Sequence, residues 1–313
     1  MEKLWEHGFR DQLRVQSAKQ DVMLTQPTLN PTNNAEKTAE VMFEKFDVRS
    51  LCMASQSILG LYSSGSYLTY YVSFLFFKHE KPVGIHRLDL GGRDVTDYIA
   101  KLLSQSHNYE FTSPLDKEII RQLKESVCHV ANVDYFHELS QIEVKADKAV
   151  WYELPDGNVC KFFFGLSNEF RNVQIFFCTS CKTQKIDVGT VQVKGPEIMF
   201  QPKLLNIDQT PVQDLVNESI MKCELAMRRE LFNNIVLTGG NTMFSGFQQR
   251  LSHELSKLVF KSVKVKVVSM SYRNYCVWIG AAVLADMPTF REQWMEKSNY
   301  SEKGAQFIHF KSF

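Results

Sequence analysis

The sequence has little of the features that mark several protein classes. Its net charge is only +1, so it lacks the positive excess of a nucleic-acid-binding chain, and we expect no direct nucleic-acid partner. Its seven cysteines are scattered and odd in number, which favours free thiols over a disulfide framework. The most apolar run, Tyr67 to Phe77, is shorter than the roughly 20 residues that span a bilayer. We therefore predict a soluble intracellular protein without a membrane partner.

Short apolar strands alternate with amphipathic helices along the chain. Strands are predicted at "DVMLT" and "SLCMA", and the helix between them has Asn30 as its cap and Pro31 at its first position. A later helix has Ser113 as cap and Pro114 at its start. One helix is predicted over 212–232. This alternation predicts βαβ units in an α/β fold, in which ligands bind at the carboxyl ends of parallel strands.

The stretch "NNIVLTGGNTMFSGF" places two glycines, Gly239 and Gly240, between a short strand and the amphipathic helix "FQQRLSHELSKL". Paired glycines at such a junction let the backbone approach a nucleotide closely. They also occur in tight strand-to-helix turns that bind nothing, and the spacing alone favours such a turn. The motif by itself therefore leaves both interpretations open.

A phenylalanine-rich stretch from Cys160 to Lys185 interrupts the strand pattern. Within it, "CTSC" has the spacing of half a zinc or redox site, but no second pair accompanies it. We interpret these cysteines as incidental thiols and predict no metal site. His253 has no acid and nucleophile nearby in the sequence, and we treat it as a surface or rim residue.

A series of segments in one order carries a family resemblance. They include "MEKLWEHGF", "LTQPTLNP", "RLDLGGRDVTDYIAKLL", "YELPDGNV", "SIMKCELAMRRELFNNIVLTGGNTMFSGF", "YRNYCVWIGAAVLA" and the closing "FIHFKSF". Together they resemble actin, with many substitutions. The resemblance implies the two-lobed α/β fold shared by actin, Hsp70 and sugar kinases. It begins inside the actin sequence, so we expect an incomplete version of that fold.

The resemblance implies an ATPase mechanism from which important parts are missing. Actin-type ATPases hold the phosphates between two glycine-containing hairpins that also carry aspartates near the metal. The first hairpin precedes the region that this sequence resembles. At the second, the family has an Asp-Ser-Gly-Asp-Gly segment, whereas this chain has "SYLTYYVSFLFFKHEKPVGIH". We therefore expect no ATP hydrolysis, although the resemblance alone leaves the question of enzymatic activity open.

The implied site retains more of its adenosine-binding residues than of its phosphate-binding residues. The positions that the resemblance assigns to adenine and ribose contacts are Lys124, Glu125, Gly239, Gly240, Asn241, Met243 and Phe244. Gln56 matches the glutamine that positions the attacking water in the family, and we regard it as vestigial at best. Lys124 and Glu125 read equally well as a solvated helix pair. We expect no bound cofactor, or at most weak binding of ATP or ADP with magnesium, because phosphates supply much of the affinity in such sites.

The resemblance also implies boundaries within the chain. Residues 1–57 and 276–313 correspond to the first subdomain of the large lobe, and residues 58–91 and 207–275 to the second inner subdomain. Residues 92–206 correspond to an outer subdomain that contains the phenylalanine-rich insert at about 160–185.

Three functions remain open from the sequence. The first is an actin-like structural or cytoskeletal protein that acts through protein contacts, with actin or actin-binding proteins as partners, in the cytoplasm. The second is an active actin-type ATPase. The third is a nuclear actin-related subunit of a chromatin-remodelling complex. Missing phosphate hairpins favour the first over the second, and divergence from actin is all that supports the third.

Overall fold

The computed structural model describes residues 1–64, 84–107, 111, 113–131, 135–144, 149–153, 159–163, 186–187 and 189–311. These fall into two compact units. Unit 1 comprises Met1–Arg87, Val236–Gly239 and Ser269–Phe313, and unit 2 comprises Leu88–Ile235 and Gly240–Val268. In the described residues the α-helices are Glu2–His7, Thr32–Glu40, Gln56–Ser63, Gly92–His107, Pro114–Val127, Tyr135–Val144, Val191–Glu197, Val212–Met221, Leu225–Phe232, Phe247–Leu258, Cys276–Asp286, Lys297–Lys303 and Ile308–Lys311. The strands are Asp21–Gln26, Ser50–Ser55, Ala149–Glu153, Val159–Phe163, Ile186–Asp187, Ile235–Leu237, Val267–Ser269 and Met295–Glu296.

Unit 1 is built on a three-stranded sheet whose central strand is Ser50–Ser55. Asp21–Gln26 pairs with it in parallel, with Asp21 opposite Ser50, and Met295–Glu296 pairs with it antiparallel. Every residue of the central strand is buried, as expected for a strand covered on both faces. Leu51 and Met53 belong to one apolar cluster, whereas Cys52 and Ala54 belong to another. The predicted strand–helix–strand unit is therefore present, and its sheet is mixed.

The helix between these parallel strands begins one residue later than the sequence indicates. Its cap is Pro31 and its first residue is Thr32, so Asn30 is not the cap. The ψ angle of Pro31, 136°, keeps this residue outside the helix. The Asn30 amide instead donates to the Gln26 side chain (3.4 Å), and its oxygen accepts from Asn34 (3.0 Å). The turn that follows, Val41–Lys45, places Met42 and Phe43 in the core.

The last residues of unit 1 are attached to its first helices by polar contacts. The Tyr300 hydroxyl donates to Glu44 (2.6 Å), and the two aromatic rings of Phe43 and Tyr300 stack with their centroids 4.8 Å apart. His309 bonds the Glu36 carboxylate (2.9 Å). Ile308 is fully buried in the same cluster as Met42. In the closing segment, Phe307 and Ile308 thus belong to the core packing of this unit.

Unit 2 contains the helix whose start the sequence defines best. Ser113 accepts from the Asp116 amide (3.1 Å), and Asp116 accepts from the Ser113 amide (3.0 Å), which together form a capping box. The predicted cap at Ser113 is confirmed. The helix predicted over 212–232 is wrong in its continuity, because it ends at Met221 and resumes at Leu225. Between the two helices the Cys223 carbonyl accepts from the Arg228 side chain (2.9 Å), which stabilises the break.

Two helices of unit 1, Gln56–Ser63 and Cys276–Asp286, pack against each other more closely than side chains normally allow. A Cβ atom at Gly280 would overlap the carbonyl oxygen of Leu59, so only glycine permits this approach.

The boundary proposed between residues 57 and 58 separates these helices, whereas the compact units keep them together. The subdomain boundaries implied by the resemblance stay a prediction.

Several predicted segments lie outside the described residues. They are the apolar run over 67–77, the "CTSC" pair and most of the phenylalanine-rich stretch. Of that stretch, residues 160–163 belong to Val159–Phe163, which pairs antiparallel with Ala149–Glu153 and parallel with Ile186–Asp187. Within the described part of the chain, no helix is long and apolar enough to cross a membrane.

Candidate functional site

Lys124 is the best-defined of the residues assigned to an adenosine site. It lies near the end of the capped helix Pro114–Val127 and is only 6% exposed. Its ammonium group donates to the carbonyl oxygen of Gly92 (2.9 Å) and to the Thr96 hydroxyl (3.0 Å). Both acceptors belong to the helix Gly92–His107. Lys124 is therefore a buried cation that joins two helices of unit 2, rather than part of a solvated pair.

The groups around Lys124 are polar. Among the described residues, no carboxylate lies within hydrogen-bond distance of its ammonium group. Burial lowers the pKa of its ammonium group, and the charge of Glu125 opposes this change. The two neutral oxygens of Gly92 and Thr96 solvate the cation in place of water. An electron-rich group of a ligand would find here a positive charge that is held in position.

Asn241, from the glycine loop, reaches the same place. A Cβ atom at Gly92 would lie 2.8 Å from the Asn241 side-chain oxygen and 3.4 Å from the Lys124 nitrogen. The structure thus brings Lys124 and Asn241 together around Gly92 and Thr96. Neither of the last two was predicted as a site residue. The signal that could have found them is the helix start "GGRDVT", where the Gly91 amide donates to Asp94 (2.6 Å).

Glu125 is placed differently from its neighbour. Its side chain is exposed, and its carboxylate accepts from Arg121 (2.7 Å), which also bonds Glu118. This is the geometry of charged pairs three and four residues apart on a solvated helix face. A role of Glu125 in binding a ribose stays a prediction.

In the glycine loop, the backbone conformation requires a glycine at one of the two positions, Gly239. Gly239 has a φ angle of +92°, which residues with a side chain rarely adopt, and its amide donates to the Arg273 carbonyl (2.8 Å) in unit 1. Gly240 opens the short turn Gly240–Met243 in unit 2 and is exposed, with no atom near its missing side chain. Met243 is exposed and Phe244 is buried. The tight-turn interpretation accounts for Gly239, and Gly240 is left with open space around it.

Gln56 lies in unit 1, at the carboxyl end of the strand Ser50–Ser55, where it begins the following helix. Its exposed side chain donates to the Thr25 hydroxyl (3.4 Å) at the end of the parallel neighbour strand. Ser57 bonds the hydroxyls of Ser55 (3.0 Å) and Thr28 (3.4 Å). Carboxyl ends of parallel strands are where α/β folds bind ligands. Among the described residues, this end offers hydroxyls and an amide, which bind neutral or anionic groups.

A metal site is not among the features of the described residues. They contain no group of three or more His, Cys, Asp or Glu side chains placed to hold an ion. His253, predicted to lie on the surface or at a rim, is partly exposed and lines a cavity in unit 2.

Unit 1 is an α/β unit with a parallel strand pair, and unit 2 holds the buried Lys124 beside Asn241 of the turn Gly240–Met243. In a comparison with protein families, the sequence profile described as Actin matches residues 1–72 and 82–313. The match covers nearly the whole chain. The protein belongs to the actin family.

Proposed function

We propose that this actin-family protein acts as a structural, cytoskeletal-type protein through contacts with other proteins. The observation that supports the proposal is the exposed apolar face of the helix Cys276–Asp286. Trp278 is 72% exposed there, and Tyr275 and Val283 are exposed as well. A soluble chain rarely leaves a tryptophan so open unless the surface binds a partner. Tryptophan and tyrosine are also the residue types that contribute most to protein interfaces.

The exposed face is held in a fixed orientation. On the opposite side of the same helix, Cys276 and Leu284 are buried, and Gly280 contacts the backbone of Leu59. The helix cannot rotate to hide Trp278 without breaking this contact. A partner that binds here would meet a surface that is already ordered, which lowers the entropic cost of association.

The first prediction concerns this face and a partner that we propose to be actin. We expect the wild-type protein to co-sediment with purified actin filaments, and we expect Trp278→Ala to weaken the affinity roughly thirtyfold, because losing a central interface residue costs about 2 kcal/mol. Phe260→Ala is the matched control. Phe260 is a highly exposed aromatic residue of unit 2, and its loss should leave binding unchanged.

Two outcomes would count against the proposal. If the wild-type protein stays in the supernatant at all filament concentrations, actin is not the partner. If Trp278→Ala and Phe260→Ala bind as tightly as the wild type, the contact does not use this face.

The proposal also holds that the protein is not an ATPase. The segment after the helix Gln56–Ser63 lacks the Asp-Ser-Gly-Asp-Gly pattern with which the family holds the phosphates and the metal. The cluster of Lys124, Gly92 and Asn241 leaves room for weak recognition of the adenosine part alone. Without its phosphate contacts, an ATP molecule loses most of its charge-assisted hydrogen bonds.

The second prediction follows for nucleotide. We expect the purified protein to release phosphate from Mg-ATP no faster than a buffer blank, and we expect a fluorescent ATP analogue to bind only weakly. Purified actin in the same assay is the positive control. Tight binding with phosphate release, lost on Lys124→Met, would establish the ATPase alternative instead.

A further inference from the structure

A cavity of about 400 Å³ lies in unit 2, away from the cluster around Lys124. We call it the Arg250 cavity. Tyr135 and Phe136 line it from the helix Tyr135–Val144, and Arg250, His253, Glu254 and Lys257 line it from the helix Phe247–Leu258. Gln201 also lines it. Its volume lies within the range of small-molecule sites.

The charges of Arg250 and Glu254, which line the cavity, are already neutralised within the protein. The Arg250 guanidinium donates to both oxygens of Glu197 (2.8 and 3.2 Å), a carboxylate with no exposed surface. It also donates to Glu254 (2.8 Å), which in turn accepts from Lys257 (3.0 Å). The carboxylate oxygens of both acids are thus occupied by internal donors. A ligand would find few negative charges free to attract a cation.

Apart from the Gln201 amide, whose nitrogen already donates to Glu197, the remaining polar groups of the cavity offer N–H and O–H donors. Among the described residues, none accepts a hydrogen bond from the Tyr135 hydroxyl or bonds the His253 ring. Burial and the nearby Glu197 raise the pKa of Tyr135 to about 12, so its hydroxyl keeps its proton at neutral pH. Lys257 donates twice to Glu254, is 53% exposed, and retains a third N–H. These donors favour a ligand that brings acceptors.

An aromatic wall completes the cavity. The Phe136 ring is largely exposed and meets the Tyr135 ring edge-on, with centroids 5.3 Å apart at 68°. An exposed phenylalanine ring beside donors offers an apolar surface for a planar group. The combination of a ring surface with a phenol and an ammonium group is chemically suited to a small aromatic acid.

We propose that the Arg250 cavity binds a small aromatic carboxylate. The carboxylate accepts hydrogen bonds from Tyr135 and Lys257, and the ring of the ligand lies against Phe136. Arg250 also lines the cavity, but all three of its guanidinium nitrogens already donate within the protein, to Glu197, Glu254 and the Ala131 carbonyl, so the ligand is held by Tyr135 and Lys257. This site is independent of the proposed protein contacts at Trp278.

The third prediction tests this site with 4-fluorobenzoate, followed by ¹⁹F NMR titration of the whole chain. We expect saturable binding to the wild type. Tyr135→Phe, which removes only the hydroxyl, and Lys257→Gln should each weaken it about fivefold or more, the usual effect of losing one hydrogen bond. Lys261→Gln is the matched control, because it makes the same charge change at an exposed lysine outside the cavity.

Further ligands separate the contributions of charge and ring. We expect 4-fluorobenzyl alcohol, which lacks the negative charge, to bind more weakly than 4-fluorobenzoate. We also expect cyclohexanecarboxylate, which lacks the aromatic ring and is tested by competition with 4-fluorobenzoate, to bind more weakly. The unfolding midpoints of the variants must match that of the wild type, and Tyr135→Phe is isosteric enough to meet this condition. Absence of saturable binding, an equal loss in Lys261→Gln, or unchanged binding in Tyr135→Phe would overturn the proposal.

Discussion

Gly280→Ala is expected to destabilise unit 1 by about 3 kcal/mol or more, because the added methyl group would overlap a backbone atom. The atom is the carbonyl oxygen of Leu59, which belongs to the facing helix Gln56–Ser63. A flexible side chain could move aside, but a helical carbonyl cannot move without displacing its helix. Leu59 is itself fully buried in an apolar cluster with Leu284 and Phe290, so the displacement would disturb that cluster too.

Urea unfolding followed by tryptophan fluorescence measures this effect. Trp5, Trp278 and Trp294 belong to unit 1 and Trp151 to unit 2, so in a Trp151→Phe background the fluorescence reports on the unfolding of unit 1. Gly8→Ala is the matched control, since Gly8 has a helical φ angle of −58° and nothing near its missing side chain. We expect that change to be neutral or to stabilise slightly, because alanine lowers the entropy of the unfolded chain. Equal unfolding midpoints for the two variants would contradict the close helix contact.

Features that depend on neighbouring residues could be predicted from the sequence. The capping box at Ser113 follows from its spacing to Asp116, and the strands near Asp21 and Ser50 follow from short apolar runs between polar segments. The predicted cap of the helix Thr32–Glu40, Asn30, was wrong by one residue. Asn30 and Pro31 compete for that position, and the ψ angle that proline adopts decided it.

The break at Met221 could not be read from periodicity. The residues from Val212 to Phe232 include good helix formers, so the local pattern favours one continuous helix. At the observed break Glu224 leaves the helical conformation, with a ψ angle of 140°, and the Arg228 side chain reaches back to the Cys223 carbonyl. A single side-chain contact of this kind leaves no signal in a pattern of apolar residues.

In the candidate site, too, some features follow from the sequence and others depend on tertiary contacts. Lys124 was identified through the resemblance, but its acceptors Gly92 and Thr96 lie 32 and 28 residues earlier in the chain. Only the packing of two helices brings them together. By local pattern, Lys124 and Glu125 look alike, yet one is buried and the other exposed. Helix position and tertiary packing, rather than residue type, decide which of the two charges is buried.

The burial of Arg250 could not be predicted from the residues next to it in the sequence. In "FQQRLSHELSKL" it reads as a member of a solvated helix face, and arginine is rarely found fully buried unless it is paired. The structure pairs it with Glu197, which lies 53 residues earlier and has no exposed surface. Its guanidinium also lies over the Phe200 ring, 5.1 Å from the centroid. Its burial therefore depends on partners from a distant part of the chain.

Arg250→Met is therefore expected to destabilise unit 2 by about 3–5 kcal/mol, the usual cost of leaving one partner of a buried ion pair alone. Methionine fills much of the space but supplies no donors. Among the described residues, the Gln201 amide (2.7 Å) is the one hydrogen-bond donor that the Glu197 carboxylate would keep, and the Ala131 carbonyl would lose its bond to the guanidinium (3.3 Å). Arg250→Lys should recover little, because an ammonium group cannot bond both carboxylate oxygens as a guanidinium does.

Thermal unfolding of three further variants separates the pair from its surroundings. Lys257→Met removes an exposed partner of Glu254 and should change stability by less than about 1 kcal/mol. Glu197→Leu alone should be strongly destabilising, because it leaves the buried guanidinium with fewer acceptors. In the double variant Arg250→Met with Glu197→Leu, no uncompensated charge remains between these two positions, so it should be more stable than either single change. If the losses of the two single variants simply add in the double variant, the two residues do not stabilise unit 2 as a pair, and the buried ion pair is not what holds these helices together.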